Sequence, residues 1–129
     1  MKINITAGDC LNNILVKKYK EETFIPFREA MNNGKYMNKL FSEEFLIERS
    51  LTHNVTLDEY KEKINDFIEI INNIDEYQEI KLWFGNDEFC LENLKVVIQT
   101  LLLNNYKGTL ILNTVVEETG EIIDTKKIK

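Results

Sequence analysis

The stretch EIKLWFGNDEFC, residues 79–90, decides the fold because it joins a strand to a turn and to the start of a helix. Residues 79–84 end in three consecutive apolar side chains, which is typical of a strand that is buried on both faces. Residues 85–87 form a turn, and apolar residues then recur at helical spacing to about residue 105. A strand of this kind, followed directly by a helix, predicts a parallel sheet covered by helices.

The same alternation of strand and helix continues on both sides of this stretch. It predicts an α/β fold of three layers, a Rossmann-like domain with a mainly parallel sheet of about four strands. We assign residues 1–116 to this single domain and expect residues 117–129 either to add an antiparallel edge strand as a hairpin or to fray. The predicted elements are strands at residues 2–6, 23–27, 79–84 and 108–115, and helices at about residues 10–19, 40–52, 57–74 and 89–105.

Three polar residues mark predicted helix starts. Asp9 and Asp87 each stand directly before an apolar helical pattern, so each is expected to cap the helix that follows. Thr56 is followed three residues later by Glu59, which is the pattern of a capping box.

Composition and charge exclude several classes of protein. The chain has 129 residues, which is about one domain, and a formal net charge of -6 that disfavours non-specific binding to nucleic acids. No stretch is apolar for long enough to be a signal peptide or to span a membrane, so no membrane association is predicted and a cytoplasmic location is expected. Cys10 and Cys90 are then expected to be reduced thiols, and with His53 they lack the spacing of a zinc site.

Charged residues follow the predicted strands. In open parallel sheets, ligands bind beyond the carboxyl ends of the strands, and Asp9, Arg28, Glu29 and Asp87 all stand at such ends. Two aspartates at one edge can cap their own helices, hold a divalent cation or accept hydrogen bonds from a ligand.

The two arginines stand out because the chain uses lysine fourteen times elsewhere. Lysine suffices for a solvated ion pair, so a guanidinium at Arg28 and Arg49 points to planar, bidentate contact with a carboxylate or with an anionic ligand. Arg28 is the stronger ligand candidate because it follows a strand, whereas Arg49 would approach from a helix. Trp83 is expected to be a core aromatic residue, with a stacking platform for a base or sugar as the alternative.

Four of these segments resemble the bacterial domain-of-unknown-function family 1835, in the order that the family has them. They are NITAGDCL at residues 4–11, PFREAM at 26–31, FLIER at 45–49 and LWFGND at 82–87. The resemblance covers about residues 2–115 and implies a cytoplasmic bacterial domain, often followed by a smaller domain, with no established reaction. It carries over Asp9, Arg28, Glu29, Arg49, Trp83 and Asp87.

The chain departs from the pattern of that family in two ways. It ends soon after the fourth predicted strand, which leaves the function of any second domain open. It also has Gly85 and Asn86 where the family often has an acidic residue and a histidine, which weakens any role for a histidine at this turn.

Three functions fit these residues. The first is a binding or regulatory module for a small polar or anionic ligand, such as a nucleotide, at the carboxyl ends of the strands. The second is a metal-dependent hydrolase or phosphoryl-transfer enzyme that uses Asp9 and Asp87 with Mg²⁺. The third is a protein-interaction domain whose charged residues are structural. Catalysis, cofactor, a homodimer and a second domain all stay open, and no metal ligand is assigned.

Overall fold

The chain forms five strands and four α-helices in the computed structural model, which describes residues 1–129. No helix combines the length and the apolar character that crossing a bilayer requires. One turn of 3-10 helix, Ile74–Glu76, precedes the third strand. The elements are β1 (Lys2–Thr6), α1 (Asp9–Lys18), β2 (Phe24–Pro26), α2 (Glu43–Thr52), α3 (Leu57–Asn72), β3 (Glu79–Phe84), α4 (Glu88–Leu103), β4 (Thr109–Val115) and β5 (Ile122–Lys127).

The strands form one sheet in the order β2-β1-β3-β4-β5. The first four strands are parallel, and β5 runs antiparallel to β4. This confirms the predicted Rossmann-like α/β layout and shows that residues 117–129 complete a hairpin rather than fray. Crossovers between parallel strands are right-handed, so the change of direction after β2 puts α1 on one face of the sheet and α3 and α4 on the other.

The central strand β3 is buried as its sequence predicts. Ile80, Leu82, Trp83 and Phe84 are each at most 2% exposed, because this strand lies between β1 and β4 and is covered on both faces. Its bounds match the prediction at both ends.

Two helix starts agree with the sequence and one does not. The Thr56 hydroxyl and the Glu59 carboxylate form the reciprocal capping box of α3, and the Asp87 carboxylate accepts the Cys90 amide at 2.8 Å. The prediction that Asp9 caps α1 was wrong. Gly8 occupies that position with no side-chain cap, because the Asp9 carboxylate accepts the Arg28 Nε at 2.9 Å instead.

Helix α2 begins later than the apolar pattern predicts. The pattern placed its start near residue 40, but Phe41 has φ 60°, outside the helical region, and the Ser42 hydroxyl caps a helix that starts at Glu43. Strand β2 is also shorter than predicted, at three residues that end on Pro26.

Candidate functional site at the carboxyl edge

The strand order reverses between β1 and β3. From β1 the chain moves to β2 on one side and then crosses to β3 on the other side of β1. Ligands in open α/β sheets bind at this kind of position, outside the carboxyl ends of the two strands. We call the loops that leave the carboxyl ends of β1, β2 and β3, together with the cavities between them, the carboxyl edge.

Two adjoining cavities lie at the carboxyl edge. The larger has a volume of about 370 Å³, the smaller about 260 Å³, and they share the backbone turn at Gly8 and the ring of Phe89. Together they have the size and mixed lining of a small-molecule site. The larger cavity is lined by Ala7, Gly8, Asp9, Cys10, Leu11, Ile14, Phe89, Glu117 and Glu118, and the smaller by Ala7, Gly8, Asp9, Phe27, Arg28, Glu29, Ala30, Lys63 and Phe89.

Arg28 and Asp9 meet in the smaller cavity as an open ion pair. The Arg28 side chain is 40% exposed, and its Nε donates to Asp9 Oδ1 at 2.9 Å. Its Nη1 lies 4.0 Å from a carboxylate oxygen of Asp66, beyond hydrogen-bond distance. The Nη groups therefore remain able to donate to an oxyanion.

Glu29 and Arg49 meet away from solvent. Both side chains are fully buried, and Arg49 donates from Nε to Oε2 at 3.1 Å and from Nη2 to Oε1 at 3.0 Å. The Ala30 amide donates to Oε1 at 2.7 Å. Burial raises the pKa of Glu29, but these hydrogen bonds outweigh it and bring the pKa below its ordinary value. This confirms the carboxylate-paired alternative for Arg49.

Two further side chains reach the same carboxylate. His53 Nε2 lies 2.5 Å from Glu29 Oε1, and the Tyr60 hydroxyl donates to Oε2. Burial, together with the adjacent Glu29 carboxylate, raises the pKa of Tyr60 well above its usual range. We call Glu29, Arg49, His53 and Tyr60 the Glu29 cluster. It fixes the segment after β2 to helices α2 and α3 and leaves Arg49 Nη1 without a hydrogen-bond partner.

Asn93 supports the same segment from helix α4. Its side-chain amide is fully buried, donating to the Glu29 carbonyl at 2.7 Å and accepting the Met31 amide at 2.8 Å. Arg49 Nη2 of α2 also donates to the Ala30 carbonyl at 3.0 Å, so side chains from two helices hold the backbone around Ala30. These hydrogen bonds fix the backbone next to Arg28, and so they fix the point from which its side chain extends.

Trp83 lies inside the protein and not at the carboxyl edge. It is 2% exposed, it packs on Tyr19 and Phe24 with ring centroids 5.5 and 5.8 Å away, and its Nε1 donates to Asn4 Oδ1 at 2.8 Å. This is the core position expected from its strand, and the alternative of a stacking platform for a ligand is wrong because no face of the ring reaches solvent.

Asp87 belongs to a separate group at the start of α4. Its carboxylate, the Cys90 thiol and the Glu117 carboxylate have ligand atoms within 4.8 Å of one another, and Cys90 Sγ donates to Glu117 at 2.7 Å. Burial and the Glu117 carboxylate raise the pKa of Cys90 to about 12, while the Cys90 amide lowers the pKa of Asp87. Asp9 is not in this group. The six candidate residues therefore lie in four places. Asp9 and Arg28 line the smaller cavity, Glu29 and Arg49 form the buried pair, Asp87 stands at the start of α4, and Trp83 lies in the core.

No local pattern in the sequence marks Lys63, Phe89 or Glu117 as part of a site. Lys63 is one of fourteen lysines, and only the packing of α3 brings it beside Arg28. Phe89 follows the helical pattern of a core residue but is 42% exposed over both cavities. Glu117 lies in the segment 117–129, for which the sequence allowed either a hairpin or a frayed end. No sequence pattern therefore predicted that Glu117 would contact Cys90.

No protein-family model, curated protein or solved structure was found to match this chain. The architecture itself defines the class of the protein, an α/β domain of Rossmann-like layout.

Proposed function

We propose that the protein is a binding module for a small ligand that carries an anionic group, and that the carboxyl edge holds this group. The observation that carries the proposal is the position of Arg28. Its half-exposed guanidinium follows β2, lines the smaller cavity and pairs with Asp9 at the uncapped start of α1.

Helix α1 contributes a second source of positive potential. The first amides of a helix have no partner within it, and no side chain at Gly8 satisfies them. These amides and the helix dipole favour an anion at this end. A Cβ at Gly8 would meet no atom within 4 Å, so a ligand has room to approach the backbone there.

Asp9 is the residue that an anion would displace. Its carboxylate lies in the first turn of α1 and already accepts Arg28 Nε, so it occupies the place of a ligand oxyanion. Both side chains of this pair are about half exposed, and such pairs contribute about 0 to 1 kcal/mol. Breaking the Arg28–Asp9 contact therefore costs little, and Lys63 in the same cavity adds a further positive charge.

The larger cavity suits the remainder of the ligand. Leu11, Ile14 and Phe89 give it apolar lining, whereas Glu117 and Glu118 add hydrogen-bond acceptors to the same cavity. A compound with a phosphate or carboxylate at one end and hydroxyl or amino groups at the other fits this distribution. Nucleotides and sugar phosphates are compounds of this kind.

Isothermal titration calorimetry with inorganic phosphate, nucleoside monophosphates and sugar phosphates tests the proposal. Arg28→Ala should abolish binding, and Arg28→Lys should weaken it because lysine lacks the planar donor pair. Lys61→Ala is the matched control, since Lys61 forms an ion pair of the same 2.9 Å length and equal 40% exposure with Glu43. Binding that persists in Arg28→Ala would show that the ligand uses another site.

A second candidate is metal-dependent hydrolysis or phosphoryl transfer, which the group of Asp87, Cys90 and Glu117 favours. Three donors with a thiol among them fit Zn²⁺ better than Mg²⁺, which prefers oxygen ligands throughout. If the protein has this function, Zn²⁺ should raise its melting temperature and should support cleavage of a phosphate ester. The Asp87→Asn variant should lose both effects. Asp9→Asn should leave both effects in place, because Asp9 is not in this group.

A further inference from the structure

The two edges of the sheet differ in their capacity to accept another strand. Strand β2 forms one edge, but it has three residues and ends in Pro26, which has no amide hydrogen to donate. Strand β5 forms the other edge with six residues, all exposed. Its outer backbone groups have no strand beside them, and such an edge is a template for pairing with another chain.

The backbone direction of β5 decides which residues can pair outward. The Ile128 amide donates to the Leu110 carbonyl of β4 at 2.8 Å, and backbone groups alternate in direction along an antiparallel strand. Lys126 and Asp124 therefore also turn their amides toward β4, whereas Thr125 and Lys127 turn theirs outward. A partner strand on the free edge must bond to these outward residues.

The charges of β5 complement those of a second β5 in one register. A two-fold axis at Thr125 sets the Thr125 residues of two copies opposite each other as a hydrogen-bonded pair. It also sets Asp124 of each copy opposite Lys126 of the other, which makes two pairs of opposite charge. Opposite charges facing each other across strands stabilise a sheet, and like charges destabilise it.

Neighbouring registers lack this complementarity. An axis at Asp124 places that carboxylate against its own copy, and an axis at Lys126 does the same for the ammonium groups. An axis between two residues sets outward-facing backbone groups against groups already bonded to β4. Among these registers, the one centred on Thr125 alone satisfies both the hydrogen bonds and the charges.

We propose that a second copy of this chain binds along β5 in the register centred on Thr125, which joins the two sheets into one. The interface is isologous, since the same residues serve on both sides. Exposed Ile122 and Ile123, at 41% and 58%, lie at the end of this edge and add apolar area to the contact. The proposal does not depend on the ligand site, because β5 contributes no residue to the cavity at Arg28.

Charge reversal tests this interface through sedimentation velocity at rising protein concentration. The wild-type chain should pass from monomer to dimer. Asp124→Lys and Lys126→Asp should each weaken dimerisation by roughly tenfold, because each places two pairs of like charge across the axis. The double variant Asp124→Lys/Lys126→Asp restores opposite pairs and should dimerise nearly as well as the wild type. Circular dichroism checks that these variants of exposed residues remain folded.

Cross-linking tests the register itself. Residues in a hydrogen-bonded antiparallel pair have Cα atoms about 5.5 Å apart, within the range of a disulfide. In a Cys10→Ser background, Thr125→Cys should form a disulfide dimer under mild oxidation, and Thr119→Cys at the hairpin turn should not. A wild-type chain that stays monomeric, a double variant as weak as the single ones, or equal cross-linking at both positions would overturn the proposal.

Discussion

Glu29 and Arg49 form a doubly hydrogen-bonded ion pair with no exposed side-chain surface, at distances of 3.1 and 3.0 Å. The pair joins the segment after β2 to helix α2, and the same segment carries Arg28 to the carboxyl edge. Arg28 and Glu29, which are adjacent in the sequence, therefore have different roles. Glu29 holds the backbone in place, and Arg28 faces the cavity.

Removal of one charge of the buried pair should be more destabilising than removal of both. Glu29→Gln leaves the Arg49 guanidinium buried without its counter-charge and should lower the free energy of unfolding by about 3 to 5 kcal/mol. The double variant Glu29→Gln/Arg49→Met should be more stable than the sum of the two single changes predicts. Urea unfolding measures all four proteins, and simple additivity would contradict a coupled pair.

Stability should fall in acid through Glu29. Its pKa in the folded protein lies below the ordinary value of 4.5, so its contribution to stability is fully present above about pH 4.5. This contribution is lost as the pH falls through the lower pKa of the folded state. The free energy of unfolding of the wild type should therefore drop more steeply below pH 4.5 than that of Glu29→Gln. Parallel curves for the two proteins would show that Glu29 is not responsible.

The two cysteines should differ in reactivity. Cys10 is exposed, whereas Cys90 is fully buried and its pKa is raised to about 12, so little of it is thiolate at neutral pH. Iodoacetamide should modify Cys10 in the folded protein and reach Cys90 only after unfolding. Mass spectrometry of tryptic peptides gives the readout, and rapid labelling of Cys90 in the folded chain would contradict its burial.

A side-chain cap on α1 should compete with the ligand. Gly8→Ser offers a hydroxyl to the free amides of the first turn and should stabilise the protein by a few tenths of a kcal/mol, since glycine is itself a tolerated cap. The same hydroxyl occupies amides that an anion would use, so phosphate should bind more weakly. Thermal unfolding and calorimetry measure the two effects, and unchanged phosphate affinity would argue against a role for these amides.

The sequence predicts the layout of the sheet better than the partners of its charged residues. Strand β3 and the capping box at Thr56 follow from local periodicity and spacing, and the structure has both. Asp9 has the local sequence of a helix cap, but Arg28, nineteen residues away, takes its carboxylate. The partner of the Asp9 carboxylate is thus set by a contact between distant segments, which no local sequence pattern predicts.

The Glu29 cluster is a second case in which contacts between distant segments could not be predicted from local sequence patterns. The scarcity of arginine pointed to Arg49, and a carboxylate partner was expected from its geometry. His53 and Tyr60 carried no comparable signal, because one follows a helix end and the other fits an apolar stripe. Their common approach to Glu29 depends on how α2 and α3 pack together.

Chemical-shift mapping with inorganic phosphate tests the central claim most directly. In two-dimensional ¹H–¹⁵N spectra of the labelled protein, phosphate should shift the amide resonances of residues 8–11 and the side-chain Nε–H resonance of Arg28 most strongly, in a saturable manner. The same titration of Arg28→Ala should leave the resonances of residues 8–11 nearly unmoved, whereas Lys61→Ala should behave like the wild type. Saturable shifts centred elsewhere, or unchanged shifts in Arg28→Ala, would contradict an anion site at the carboxyl edge.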